Sequence, residues 1–433
     1  MIDDYSSDGD AAKPNGKDAA REDYTLEDIE SVIRQFQVSG PVIVGPFPGR
    51  GNINLHTYEV LAAGEEYLLQ KVNSYVFTMP ERVMEAMLVS IDAQRNALES
   101  GRGDPIWEPI RLIPTRSGAP YLDHCDRMGR AVWRLMVRIP RSVSYKSLSE
   151  IRDRKSQLRL AEEVGRGLAI FSDLTSDIDL DSVQGSLPGY RDTGLYYRQF
   201  HSVMADNRTL EQVQYLLPAD PIVRASTERQ FMVALDSDEY ARRKNDTELA
   251  PYIEIVRSQE PFTMGLWSAL ASGTIRRTLI HGDTKIENFL FCVETGRVKS
   301  LVDLDTIMPF TWLADWGDML RSLVNVAGEK ERDLNLVVID REVYEAVSKG
   351  FLEAAKLVTD AEVAMMVFSV QAIALELGLR FLTDYIRGDT YFQPAKDDPP
   401  DINKVRAMVQ LTLYRRLSEF AAEATSRLAA YRA

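Results

Sequence analysis

Carboxylate, ammonium and amide side chains suited to phosphate chemistry fall within one short stretch of the chain. His281-Gly282-Asp283-Thr284-Lys285 is followed by Asn288, and Asp303 and Asp305 arrive after a turn at Glu294-Thr295-Gly296. Moving a phosphoryl group onto an alcohol needs an oxygen to orient or deprotonate the hydroxyl, a cation to spread the developing charge, and ligands for a divalent metal. Asp283 fits the first task and Lys285 the second. Asn288, through its amide oxygen, and Asp303 suit Mg²⁺, which prefers hard oxygen ligands and keeps several waters. Asp305, two residues beyond Asp303, would share its face in an extended strand and is a further candidate ligand. His281 reads better as a buried imidazole bracing the loop than as a base or ligand. His56, His124 and His201 form no cluster.

A second feature lies near the other end. Gly49 and Gly51, followed by Asn52, would let backbone N–H groups approach phosphate oxygens, although a plain hairpin loop suits the same residues. No Lys-Ser or Lys-Thr follows, which excludes a Walker A loop, and the next element reads as a strand where a dinucleotide fold needs a helix. Tyr67 to Val72 reads as that element's partner strand. Alternation puts Gln70 and Lys71 on opposite faces, so only one can point toward a nucleotide. Lys71 has the better chemistry, and the residues leave the choice open.

Elements that would position these groups follow from periodicity. Thr25 is a plausible cap for a short helix, Val42 to Val72 holds strands around the glycine loop, and Pro80 to Leu98 is helical. Ile110 to Tyr121 and Ala131 to Ile139 read as further strands, the earlier one broken by a turn at Arg116 to Gly118. Beyond Pro140 helical periods dominate: roughly 148–175, 194–215, 226–235, 261–272, 315–328, 340–358, 361–387 and 402–430. The strand-rich stretch 276–307 interrupts them, and 236–248 reads as a solvated connection. The expected organisation is α+β: a disordered tail over 1–23, a β-rich lobe over 24–140 that handles nucleotide, and a mostly helical lobe over 141–433 that carries the catalytic loop.

Composition narrows the partners. A net charge of −14 over 433 residues argues against nucleic acid, which is held by clustered Lys and Arg. Residues 1–23 lack the apolar stretch of a signal peptide. The apolar run Ala361 to Leu382 contains Glu362, Gln371, Glu376 and Arg380 and reads as a buried helix, with no membrane partner implied. Two cysteines, Cys125 and Cys292, form no disulfide framework and fit a reducing cytoplasm. Nothing in the sequence sets the oligomeric state.

The chain resembles the aminoglycoside phosphotransferase and choline kinase superfamily, and within it the N-acetylhexosamine 1-kinase branch. The resemblance rests on His281-Gly282-Asp283-Thr284-Lys285 with Asn288, on Val302 to Thr306, and on Ala314-Asp315-Trp316-Gly317-Asp318-Met319-Leu320-Arg321. It extends to Gly51 to Tyr58, Leu69 to Asn73, Trp133-Arg134, Leu187 to Thr193, and Arg380 to Phe392. It implies a bilobal, protein-kinase-like fold with ATP in the cleft and adenine against a linker near Arg138, Ile139 and Pro140. It also implies Asp283 as base, Asn288 and Asp303 as Mg²⁺ ligands, and Asp315 as a brace of the catalytic loop. The acceptor implied is the anomeric hydroxyl of an N-acetylhexosamine or a related sugar. Tyr190-Arg191 stands where that branch would carry Phe-His, which leaves the acceptor open. An aminoglycoside or other small alcohol, or a non-catalytic nucleotide sensor, are the alternatives.

Overall fold

Residues 24–48, 53–54, 56–126 and 128–431 are described by a computed structural model. Gly49, Gly51 and Asn52 of the glycine loop lie outside the described residues. The chain divides into two units, one of Met1–Glu81 with Arg111–Pro140, the other of Arg82–Ile110 with Arg141–Ala433.

The first unit is built on helix α1 (Leu26–Ile33) and strands β1 (Val42–Pro46), β2 (Thr57–Ala62), β3 (Glu65–Lys71), β4 (Leu122–Asp126) and β5 (Gly129–Val137). They form one antiparallel sheet in the order β1-β2-β3-β5-β4. Thr25 caps α1 in a reciprocal box with Asp28, the Asp28 N–H reaching Thr25 Oγ1 at 3.2 Å. The buried stripe Ile29, Val32 and Ile33 then packs with Val60, Tyr67, Leu69, Trp133 and Leu135 of the sheet. Tyr67 and Leu69 stand two apart on β3, so a period of two sends them to one face. The expected strand over 110–121 does not form; Leu112 and Thr115 make only isolated bridges, to Met136 and Phe36, and the strand proper begins at Leu122. Pro114 and Pro120 cannot donate to a ladder, and Gly118 turns the chain at a φ of +88°.

Pro140 ends the first unit, but residues 82–110 group with the second, a correction to the expected 24–140 lobe. Their hydrogen bonds explain it. Most of helix α2 (Pro80–Glu99) and the segment after it are tied together by Trp107 donating to Gln94 Oε1 at 2.9 Å. The Glu108 N–H reaches the Lys299 carbonyl at 2.7 Å, and Ser300 donates back to Glu108.

In the second unit β6 (Ser142–Val143), β8 (Phe289–Cys292) and β9 (Val298–Leu301) form a small sheet, and β7 (Thr278–Ile280) pairs with β10 (Met308–Phe310). Helix α3 (Arg154–Leu174) crosses the helix Arg341–Ala354 at backbone contact. A Cβ on Gly165 would lie 2.1 Å from the Val347 carbonyl, and one on Gly350 would lie 1.9 Å from that of Glu162. A Cβ on Gly167 would meet the Val298 and Phe289 side chains at 2.8 and 2.9 Å, so α3 also supports the small sheet. Helix α4 (Thr193–Met204) stops well before residue 215, and Asp206 follows at a φ of +59°. The helix expected over 226–235 is instead Pro221–Thr227 with a short turn after it. The expected connection 236–248 contains a helix, Ser237–Lys244, whose first N–H groups are capped by Asp236. The helix Met366–Arg387 is long and apolar enough to span a membrane, but 78% of that window is buried within the protein. It packs against Trp312–Leu323 and Ile402–Ala430 as a core helix.

Candidate active site

The loop after β7 is fastened from below. Asp315, one turn into the helix Trp312–Leu323, accepts the His281 N–H at 2.6 Å and the Gly282 N–H at 2.8 Å. Its own carbonyl accepts the Thr284 hydroxyl at 2.7 Å. Burial pushes the Asp315 carboxyl up to about 7, against the pull of the two N–H groups. Gly282 sits at a φ of +86°, and a Cβ there would meet the Thr306 carbonyl at 2.6 Å, so both conformation and space require glycine. The His281 ring is fully buried, with Nε2 at 2.8 Å from the Val302 carbonyl and Nδ1 accepting the Asp283 N–H at 3.3 Å. Burial lowers its pKa, and these partners fit the neutral tautomer with hydrogen on Nε2.

Above this support the reactive groups converge. Lys285 Nζ lies 3.0 Å from Asp283 Oδ2, and both side chains retain access to solvent. Burial works to discharge Lys285, but the Asp283 carboxylate outweighs it and holds the ammonium above its ordinary pKa. Asn288 is buried and donates its amide N–H to the Asp283 carbonyl at 2.7 Å, which directs Oδ1 elsewhere as an acceptor. Its own carbonyl receives the Val302 N–H at 2.8 Å, and Phe289 pairs with Leu301. That register returns Asp303 to the neighbourhood of Asn288.

Asp303 adopts a left-handed backbone, φ +63° and ψ +57°, which costs an ordinary residue about 1–2 kcal/mol. Leu304–Thr306 then turns as a short 3₁₀ helix. The extended geometry that would place Asp303 and Asp305 on one face is therefore absent. Asp303 is exposed while Asp305 is buried, its carbonyl accepting the Ser186 hydroxyl at 2.5 Å. Among the described residues there is no group of three or more His, Cys, Asp or Glu able to hold a metal. The donor set nonetheless fits Mg²⁺: Asn288 and Asp303 are hard oxygen ligands, and substrate phosphates with water would complete the shell.

A wall of residues stands beside the loop, of which the sequence reading tied only Tyr190-Arg191 to the acceptor. Tyr190 donates to the Gly282 carbonyl at 2.7 Å, and Arg191 reaches the same oxygen at 3.3 Å from a left-handed backbone at a φ of +59°. Arg191 also pairs with Glu376 at 3.3 Å, and Thr193 donates to the other oxygen of that carboxylate. Asp318 lies 2.7 Å from Arg321 and 3.7 Å from Arg191. Burial pushes the Asp318 carboxyl up, but the two guanidiniums outweigh it and hold the group at about 2. Arg380 lies 4.7 to 5.4 Å from the ring centres of Tyr196, Phe392, Tyr190 and Tyr391, and donates to the Tyr391 hydroxyl at 3.2 Å. Asp384 brings the last two rings there. Buried at the end of Met366–Arg387, it accepts the backbone N–H groups of Tyr391 and Phe392 and folds the chain back over the helix. The sequence signal was the spacing of Asp318, Arg321, Arg380 and Tyr391 inside resemblance motifs; only the fold shows that they share one wall.

In the first unit Gln70 and Lys71 do lie on opposite faces. Lys71 Nζ contacts the Tyr24 hydroxyl at 2.6 Å, on the side covered by α1, and burial lowers its pKa. Gln70 lies across from Arg134 on the other side. Arg138 pairs with Glu59 at 3.2 Å and Glu66 at 3.0 Å, and Ile139 beside it is buried.

Residues 48–347 match the model of a family described as the phosphotransferase enzyme family. Among solved structures, the chain is similar to a microcompartment-associated aminopropanol kinase, at 13% identity and a TM-score of 0.55. That match covers 93% of this chain and 100% of the other. It is also similar to an ethanolamine kinase of Plasmodium vivax, at 12% identity and a TM-score of 0.50, covering 93% of this chain and 96% of that one. At such identities the likeness is one of fold: α+β, with a β-rich part and a helical part, as in these kinases.

Proposed function

The chain belongs to the phosphotransferase enzyme family, and on that premise we propose that it uses ATP and Mg²⁺ to phosphorylate a sugar hydroxyl. It is an enzyme that transfers phosphoryl groups to hydroxyls of small molecules. The anomeric hydroxyl of an N-acetylhexosamine or related hexose is the acceptor the reading favours. In the transfer the acceptor oxygen forms its bond to the γ-phosphorus as the bond to the leaving ADP breaks. The acceptor's proton passes to Asp283; with Oδ2 engaged by Lys285, Oδ1 is placed to take it. Lys285 spreads the charge on the moving phosphoryl, and Asn288 with Asp303 would hold Mg²⁺, which supplies further neutralisation when bound.

The observation that carries the acceptor class is the Arg380 wall. Tyr190 links it directly to the loop through the Gly282 carbonyl. A neutral, hydroxyl-rich ring can lie on tyrosine faces and accept from guanidinium N–H groups. A cationic acceptor would meet Arg380 at close range, and like charges repel. The net charge of −14 favours a second reading, an aminoglycoside acceptor drawn in by long-range attraction. The test is ADP release by the purified protein with free hexoses, N-acetylhexosamines, aminoglycosides and choline. Turnover with neutral sugars alone is expected. Turnover confined to the cationic compounds reverses the assignment, and nucleotide binding without transfer to any acceptor would make the chain a sensor.

A further inference from the structure

Residues 324–340 connect the helix Trp312–Leu323 to Arg341–Ala354 as an excursion closed at its base. The Asp340 N–H donates to the Val324 carbonyl at 2.9 Å, and Asn325 bridges Ile339. Asn325 also turns the chain. Its Nδ2 donates to the Gly328 carbonyl at 2.9 Å, and Gly328 takes a φ of +79°, which favours glycine. Three ion-pairing residues follow at once. Lys330 pairs with Asp398 and Arg332 with Asp401, but these two cations are 60% and 57% exposed, and such pairs contribute little.

Glu329, the first of the three, is different. Its Oε1 accepts from Arg321 at 2.7 Å and its Oε2 from Arg406 at 2.9 Å, so one carboxylate bridges two guanidiniums. Partial burial pushes its carboxyl up, but the two arginines outweigh it and hold the group below its ordinary pKa. The two arginines serve different parts of the wall. Arg321 bonds Asp318, which lies 3.7 Å from Arg191, and Arg191 reaches the Gly282 carbonyl of the catalytic loop. Arg406 lies 3.8 Å from the centre of the Phe381 ring and 5.6 Å from that of Phe392. Phe392 packs on Phe381 at 4.4 Å and stands 5.1 Å from Arg380. Glu329 therefore joins the side of the wall tied to the loop to the side that surrounds Arg380. Among the described residues Arg406 has no other ion pair, whereas Arg321 keeps Asp318. Without the carboxylate two guanidiniums would face each other across its place, and like charges repel more strongly away from water. The side anchored only through Arg406, with Phe392, is the one that would yield.

We propose that Glu329 is a positioning residue of the acceptor site: by bridging Arg321 and Arg406 it holds Phe392, and with it Arg380, in register with the catalytic loop. This deepens the acceptor reading above and rests on it. Steady-state kinetics of the full chain tests it, with ATP and the neutral sugar that gives the fastest ADP release. The proteins compared are wild type, R380Q, E329Q, E329D, R406Q, E329Q/R406Q and K330A. E329Q should raise the acceptor KM about 3- to 10-fold, with kcat within a few-fold and the ATP KM within about twofold of wild type. E329D keeps a negative charge between the arginines and should recover part of that loss. E329Q/R406Q should be no worse than the worse single variant, because both changes break one bridge. K330A should match wild type. A wild type that turns over no neutral sugar, or an R380Q with unmoved acceptor KM, overturns the acceptor reading and this proposal with it. If R380Q raises the acceptor KM, an E329Q that only melts earlier overturns this assignment alone. So do an ATP KM that rises equally in E329Q, fully additive losses in the double variant, or a K330A as impaired as E329Q. Should E329Q not fold, R406Q and E329D decide: a raised acceptor KM in R406Q, larger than in E329D, sustains the proposal, and wild-type values in both defeat it.

Discussion

The catalytic loop and the arginine–tyrosine wall sit side by side but are assembled in opposite ways. The loop is local: Asp283, Lys285 and Asn288 lie within six residues, and one hairpin brings Asp303 back to them. The wall draws on Tyr190 and Arg191, on Asp318 and Arg321, and on Glu376, Arg380 and Tyr391, three stretches separated by long intervals of chain. Asp283 and Lys285 of the loop are partly open to solvent and paired with each other. The wall's Arg191, Asp318 and Arg321 are buried and paired with one another and with Glu376 and Glu329, leaving Arg380 among rings. Chemistry common to a family can live in a short motif, whereas in the proposed reading discrimination among acceptors is distributed over the fold.

If that division holds, changes in the two regions should separate in kinetics. The largest effect is expected in the loop: Asp283→Ala should lower kcat by about 10²- to 10⁴-fold, the range for losing a general base, with ATP binding retained. Unchanged turnover in that variant would remove Asp283 from the reaction. A smaller, different effect is expected in the wall. Arg380→Gln should raise the acceptor KM by about tenfold, the worth of one charged hydrogen bond, with kcat within a few-fold of wild type. A fall in kcat with KM unmoved would place Arg380 in loop support and erase the proposed distinction.

A third effect concerns stability. Asp318 has its folded pKa depressed from 3.8 to about 2, so its contribution is present above its unfolded pKa and lost as pH falls through the folded one. Between about pH 4 and pH 2 the wild type should therefore lose about 2 kcal/mol that Asp318→Asn does not lose over the same interval. Parallel melting curves for the two proteins across that range would show that the buried charges of the wall are not the source.

This contrast also explains what could be read from the residues. The β-rich and helical halves, the break after Pro140 and the hairpin that carries Asp303 followed from alternation, helical period and a Glu-Thr-Gly turn, all local signals. The alternation that separated Gln70 from Lys71 was equally plain, but nothing local said which face α1 would cover. Tyr24, 47 residues before Lys71, decides that. Asp305 was misjudged because the strand was taken to continue, whereas Asp303 enters the left-handed region without a glycine to announce it. Residues 82–110 were misassigned because their ties to Lys299 and Ser300 span about 190 positions of sequence. The folded-back loop over Arg380 depended in the same way on Asp384, whose spacing to Tyr391 and Phe392 gives no periodic signal.

The backbone-to-backbone crossing at Gly165 and Gly350 bears on how this enzyme could be altered. Side chains between helices act as adjustable shims, and at these two glycines none intervenes, so α3 and Arg341–Ala354 have little slack where they cross. Phe289 and Val298, seated against Gly167 of the same helix, inherit that fixity. Asn288 and Asp303 are in effect bolted to a rail, and retuning this enzyme for another acceptor should succeed by reshaping the wall long before it succeeds by moving these two residues.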